Sequence, residues 1–355
     1  MNIRDLTKFV FIIVFNFIYL TSIAIIHPKS TISGIILDKD TRLPLSDVNI
    51  FLAHTTIGAA SDHIGKFRIE SAPEGIYDLI FDCMGYETKS IKIQIIQSQA
   101  LSFTVELKPK IYSTDQIQII AEKPKEWLKR LEIFIREFIG QSRNARECVV
   151  LNSEVLKFQI DSVTNKFLAF SDSILRIRNN ALGYHINVKL VQFEYSYKDA
   201  TCLYEMYPIF RELKSDDEKQ LSRWIENRQK SFKGSLRHFI SLFTQDQYFP
   251  IFKLYTKKAT GDKFYVSVDN LKCEQIENSS LLKISFDYFL GIDYYRFGYP
   301  EMSSMLRLDQ GYAYIDSLGN IYGPITKRGA WSEERLADLL PYDYNPNNPE
   351  MIRHY

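Results

Sequence analysis

The 355 residues are 45% hydrophobic and 25% charged, the composition of an ordinary folded protein with length for two domains. With 44 basic and 43 acidic residues the chain lacks the positive excess that nucleic-acid phosphates demand, so nucleic acid is excluded as an expected partner. At the N-terminus, Arg4 and Lys8 precede an apolar run from Phe9 to Ile26 broken only by Asn16, Thr21 and Ser22. That is the n-region and h-region of a secretory signal peptide, assigned to residues 1–30. The run is at the lower limit for spanning a bilayer and no clear small-x-small cleavage site follows, so an uncleaved inner-membrane anchor through residues 9–26 is the alternative. Either reading places the chain outside the cytoplasm, in the periplasm or at the outer membrane if the segment is cleaved and anchored in the inner membrane if it is not. Without residues 1–30 the formal charge is about −1. Cys83, Cys148, Cys202 and Cys273 could oxidise there, but spacing gives no pairing, and buried free thiols are an equal reading.

From Thr31 to Lys108 short apolar runs alternate with turn residues, the pattern of an all-β sandwich. In TISGIILD and then SDVNIFL, Val48, Ile50 and Leu52 share one face, with Asn49 and Phe51 on the other. Asp38, Asp40 and Pro44 supply turn chemistry between these runs, and Asp62 to Phe67 reads as a turn in which Gly65 takes positive φ. Ile76, Leu79 or Phe81, then Ile91, Ile93 and Ile95, and finally Leu101, Phe103, Val105 and Leu107 complete the expected core.

This stretch resembles the carboxypeptidase-regulatory-like domain, a transthyretin-like, seven-stranded β-sandwich. The resemblance covers about 80 residues and rests on Gly34, Asp38, Pro44, Leu45, Val48, Asp62, Gly65, Phe67, Gly75, Tyr77, Leu79, Gly85 and Tyr86. It implies a non-catalytic accessory module of the bacterial envelope, found beside zinc carboxypeptidases and in front of outer-membrane receptors of the TonB-dependent type. The remaining chain fits neither companion. His27, His54, His63, His185, His238 and His354 form no zinc-ligand motif, and the residues after Lys123 are too few for a plug and a large barrel.

Residues 109–124, bounded by Pro109 and Pro124, read as a linker, and 125–355 as an α+β domain with an antiparallel sheet and a long helix. Trp127, Leu128, Leu131, Phe134, Ile135 and Phe138 recur at helical spacing, with Gly140 as the stop. Five strand-like runs follow between Cys148 and Tyr207. A single helix is expected over 215–243, started by Ser215, Asp216 and Asp217. Its basic face, Lys219, Arg223, Arg228, Lys230, Lys233 and Arg237, suits anionic lipid in one reading and a solvated surface in the plainer one. Further strands lead to a short helix begun by Ser332 and an irregular tail. The blocks around Phe134 to Phe158 and Arg328 to Tyr344 resemble a bacterial family without an assigned role, in which this sandwich precedes an α+β region.

No phosphate-binding glycine loop occurs, and Ser142 in IGQSRN reads as a helix exit rather than a nucleophile. Asp38 and Asp40 read as turn residues before calcium ligands. Asp161, Asp172, Glu194, Glu205 and Asp293 are scattered acids whose convergence sequence does not show. No cofactor and no metal site are expected. The 24 Phe, 22 Tyr and 3 Trp exceed ordinary needs, and their densest cluster makes Tyr288, Tyr294, Tyr295, Phe297 and Tyr299 the expected binding surface. The expectation is an exported, envelope-associated, non-enzymatic binding or assembly module whose partner is an envelope protein or glycan. A hydrolase of unknown type in residues 125–355, using clustered acids or His185 beside a carboxylate, is the alternative.

Overall fold

The computed structural model describes residues 30–96, 99–110, 125–161, 163–171, 173–257, 260–267 and 271–347. The signal or anchor segment, Asp172 and most of the linker lie outside the described residues. Among those described, no helix is long and apolar enough to cross a membrane.

Strands β1 (Ser30–Asp38), β2 (Asn49–Leu52), β3 (Gly58–Ala60), β4 (Lys66–Ala72), β5 (Gly75–Asp82), β6 (Lys89–Ile95) and β7 (Ala100–Leu107) form two facing sheets. Their orders are β4-β1-β7 and β3-β2-β5-β6. Alternation works as expected: Ile32, Ile36, Val48, Ile50, Leu52, Leu79, Phe81, Ile93, Ile95, Val105 and Leu107 fill the space between the sheets. Each such side chain contributes about 1.5–3 kcal/mol on burial. Ile76 is the exception, because Tyr77, Leu79 and Phe81 take the inward phase and leave it half-buried. Strands β1 and β7 run parallel, and at Gly34 a Cβ would stand 2.1 Å from the Phe103 carbonyl oxygen. Between β3 and β4, Asp62 Oδ1 accepts the N–H groups of Ile64 and Lys66. Gly65 there sits at φ +73°, where any Cβ would approach the Ile36 carbonyl oxygen to 2.6 Å.

Helix α1 (Lys125–Phe134) continues as a π-helical turn, Ile135–Ile139, and stops at Gly140 with φ +112°. It packs on an antiparallel sheet made from β8 (Cys148–Val150), β9 (Leu156–Asp161), β10 (Lys166–Ser171), β11 (Leu175–Asn179), β12 (Tyr184–Ser196) and β13 (Thr201–Glu212). The order is β8-β11-β12-β10-β9, with β13 also paired to β12. Phe134, Phe138 and Ile139 are buried, and Phe134 meets Phe193 edge-on at 5.1 Å. Leu128 and Ile135 remain exposed, and the π turn that begins at Ile135 brings the adjacent Phe138 and Ile139 both into the core.

The single helix expected over 215–243 is instead two, α2 (Glu218–Phe232) and α3 (Leu236–Phe243). Gly234 breaks it at φ +80°, and Ser235 restarts it by accepting the N–H of His238. Nine strands follow: β14 (Phe252–Lys257), β15 (Lys263–Tyr265), β16 (Lys272–Gln275), β17 (Leu282–Ser285), β18 (Leu290–Arg296), β19 (Tyr299–Leu308), β20 (Tyr312–Ile315), β21 (Ile321–Tyr322) and β22 (Ile325–Gly329). Sheets β15-β14-β18-β19-β22 and β16-β17-β20-β21 share one core with α3. The region is therefore richer in strand than expected.

The helix expected from Ser332 is not α-helical. Two 3-10 turns, Ala330–Ser332 and Leu336–Asp338, flank an extended Arg335. Trp331 belongs to the α3 core, whereas Leu336 and Ala337 belong to the α1 core. A continuous helix could not deliver both.

Candidate functional site

The sandwich is docked on the rest of the chain. Phe51, Ala53 and Ile80, on the outer face of its four-stranded sheet, pack against Ile209 and Tyr207 of β13. Thr55 bridges to Ile209, and the His54 N–H donates to the Pro208 carbonyl. From the far end of the chain, the Tyr342 N–H donates to the His54 carbonyl, its ring stacks on the imidazole at 4.9 Å, and Asp343 accepts from Thr56. Burial pulls His54 down to about 4. Arg237 organises the same junction by donating to the carbonyls of Leu318, Leu340, Pro341, Tyr342 and Tyr344. Asp316 accepts from Asn320 and from the Tyr322 hydroxyl at 2.7 Å. The strongly perturbed groups of this junction are thus engaged with each other.

Two of the six residues of the expected basic face are also internal. Arg228 is 1% exposed, pairs with Glu212 at 2.7 Å, donates to the carbonyls of Leu182 and Gly183, and lies 3.9 Å over the Tyr184 ring. Arg237 is held by carbonyls. Arg223 pairs with Glu147 and Lys230 with Glu226. The face is therefore not a continuous cationic strip, and the lipid reading loses its basis.

Among the described residues the scattered acids do not converge. Asp161 serves its own turn, accepting from Thr164 and Val163, and these bonds lower its pKa. Glu194 pairs with Lys166, and Glu205 accepts from the Tyr207 hydroxyl. Asp38 accepts from the N–H groups of Asp40 and Thr41 and from the Tyr86 hydroxyl, as a turn residue does. His185 faces Arg178 and Arg211 on the flanking strands, two cations rather than a carboxylate. Ser142 donates to Asp338 and accepts the N–H of Ala145. Among the described residues no group of His, Cys, Asp or Glu is arranged to hold a metal, and the four cysteines are free.

The expected aromatic surface splits. Tyr288 packs beside Phe286 at 5.7 Å, and Tyr294 turns inward against Phe252 at 5.2 Å. Tyr295 lies on the opposite face with Lys253 Nζ 4.3 Å over its ring. Phe297 and Gly298 form the two-residue turn between β18 and β19, with φ of +51° and +84°, the signs of a type I′ turn. Phe297 is 89% and Tyr299 77% exposed.

Sequence reasoning missed the neighbours of Tyr295. Tyr265, on β15, hydrogen-bonds Tyr295, which raises its pKa, with burial and Asp293 adding to the effect. Asp293, almost fully buried, receives Lys263 Nζ at 2.7 Å on both oxygens. Ser303 takes a further contact from Lys263 and lies 2.9 Å from the Tyr255 hydroxyl. The Tyr255 ring crosses Gly291 so closely that a Cβ there would sit 2.3 Å from it. The β14–β15 pairing sets Tyr255 opposite Tyr265, and the Gly261-Asp262 turn signal between two alternating runs could have announced it. The result is an aromatic and polar platform ending in an exposed hairpin. Asp293 on it is paired with Lys263.

Solved chains similar to this one include a C-terminal interface mutant of a type II cohesin–X-dockerin complex from Acetivibrio cellulolyticus, at 22% identity over 22% of this chain and 56% of that one, with a TM-score of 0.20. A minor pilin of Streptococcus agalactiae matches at 20% identity over 24% of this chain and 47% of that one, TM-score 0.20. A DUF3823 family protein from Parabacteroides merdae matches at 9% identity over 51% of this chain and 81% of that one, TM-score 0.19. The chain thus spans about half the length of the first two, and superpositions this poor carry no argument. No curated protein matches the chain. One family does: residues 32–119 match the CarboxypepD_reg-like domain, the family that the sandwich resembles from its sequence.

Proposed function

We propose that the protein is an exported, envelope-associated binding or assembly module without catalytic activity. In this reading residues 1–30 direct export, the sandwich of 31–108 is an accessory body joined by a linker at 109–124, and 125–355 presents the binding surface. The observation that carries it is Phe297. A bulky residue at positive φ costs on the order of 1 kcal/mol, and a ring this exposed recovers little from packing, with the Arg296 guanidinium 5.4 Å over it as its contact. Such a side chain is explained by a surface that it meets outside the chain, with Tyr299, Tyr295 and Tyr265 beside it. The expected partner is an envelope protein or glycan. The hydrolase reading gains no support from His185 or from the acids, which are paired as described.

The test is crosslinking in intact envelopes with the full chain and a Phe297→Asn, Tyr299→Ala double variant. Recovery of a defined protein or glycan by the wild type, lost in the variant, is the expected result. Equal recovery by both, or recovery of nothing by the wild type, removes the hairpin from the function.

A further inference from the structure

The break between α2 and α3 does more than bend a helix. It opens a cleft of about 350 Å³, within the range of small-molecule sites. Gln229 and Lys233 come from the end of α2, His238 from α3, and Gln245, Gln247 and Asn347 from the turn and loops beyond. Phe232 and Leu242 supply an apolar floor. Gln245 lies just past the end of α3, where its side chain folds back to the Ser241 carbonyl and so lines the same space as His238.

The chemistry of this lining is specific. The Gly234 N–H donates to His238 Nδ1 at 3.0 Å, which leaves the imidazole neutral with its proton on Nε2, a donor. Burial pulls His238 down to about 4, and the charge of Lys233 adds to that shift, so the cation lies within reach of the ring. Gln245 Nε2 donates to the Ser241 carbonyl at 2.8 Å, leaving its own oxygen to accept. The side chains of Gln229, Lys233 and Gln247 make no hydrogen bond among the described residues. Among the described residues no carboxylate lines the cleft, and Asp246, on the same turn, is not among the lining residues.

One cation, several amides that both donate and accept, a neutral imidazole donor and an apolar floor match one class of ligand. Vicinal hydroxyls also donate and accept, and side-chain amides bridge them in pairs. A single ammonium without an opposing acid selects one negative charge, and a phosphate dianion would be left half-compensated. We propose that the cleft binds a uronic-acid-type sugar unit, with its carboxylate on Lys233, its hydroxyls on the glutamines and its C–H face on Phe232 and Leu242. This site does not rest on the hairpin surface above.

The full chain is titrated calorimetrically with sodium glucuronate, glucose and acetate. Glucuronate should bind more tightly than either of the others. Lys233→Met should weaken glucuronate at least about tenfold and leave glucose unchanged. Gln247→Ala, at an exposed position whose loss leaves the core intact, should weaken both sugars. The proposal is overturned if glucuronate gives no binding at millimolar concentration, if acetate binds as well as glucuronate, or if both variants bind glucuronate like the wild type.

Discussion

The junction around Arg237 and the platform around Tyr295 are built from the same residue types, tyrosines with a cation and a carboxylate, yet they serve different ends. At the junction the guanidinium is spent on five carbonyls, Asp316 on Asn320 and Tyr322, and His54 on Tyr342. On the platform Lys263 and Asp293 are paired, but the rings at its margin end in solvent. Polar residues inside a fold are satisfied chiefly by the fold itself, and at this junction Arg237 Nε, Asn320 Oδ1 and the Tyr344 hydroxyl are the buried atoms that find no partner among the described residues. Exposed aromatic rings have no such obligation, and what satisfies them lies elsewhere. The distinction makes opposite predictions for substitutions in the two places.

The largest effect belongs to Arg237. Replacing it with alanine strands the carbonyls of Leu318, Leu340 and Tyr344, each costing about 1–3 kcal/mol when left buried without a donor, whereas Pro341 keeps the Tyr344 N–H and Tyr342 the Asn320 amide. Chemical denaturation of Arg237→Ala should show a loss of about 3–5 kcal/mol. A loss below about 1 kcal/mol would mean that the segment is held by its apolar contacts alone, and the contrast between the two regions would fail.

The second effect is one of pH. His54 has an ordinary value of 6.5 and is pulled down to about 4 by burial. Across that window the unfolded chain binds a proton that the folded chain refuses, so this contribution is intact above about 6.5 and is lost as pH falls toward 4. His238 acts in the same direction over the same window. Asp343, Asp338 and Glu334, all raised by burial, act oppositely and favour the folded state as pH falls. The difference between wild type and His54→Asn isolates the junction, and asparagine tolerates the φ of +65° there. Melting from pH 7 to 4 should show a shallower decline in the variant. Identical profiles would mean that His54 titrates in water.

Why the junction escaped sequence reasoning follows from where its partners lie. Arg237 differs from Lys219 or Lys230 only in finding carbonyls 81 to 107 residues further along the chain, and helical periodicity carries no information about them. Phe51 likewise read only as the face opposite Val48, Ile50 and Leu52, because alternation shows which residues share a face and not what covers it. The sandwich core was legible, since Val48, Ile50 and Leu52, or Val105 and Leu107, need only a period of two and the strand opposite. The break at Gly234-Ser235 went unread, although glycine followed by serine is a stop and a cap, because the apolar spacing on both sides ran across it. At the candidate surface, local density found Tyr295, Phe297 and Tyr299, whereas Tyr255, Lys263, Tyr265 and Ser303 required the pairing of distant strands.

The smallest effect on stability is also the sharpest test, because its sign is unusual. A type I′ turn favours asparagine before glycine, and phenylalanine at Phe297 bears the cost of positive φ without burying its ring. Phe297→Asn should therefore stabilise the fold by about 0.5–1 kcal/mol, measured by denaturation, while weakening capture of the envelope partner. Most substitutions destabilise, so a gain in stability coupled to a loss of binding assigns the ring to the partner. A loss of stability instead would show that Phe297 packs on its own chain, with Arg296 stacked 5.4 Å above it as the nearest candidate, and the exposed hairpin would then be one more part of the fold.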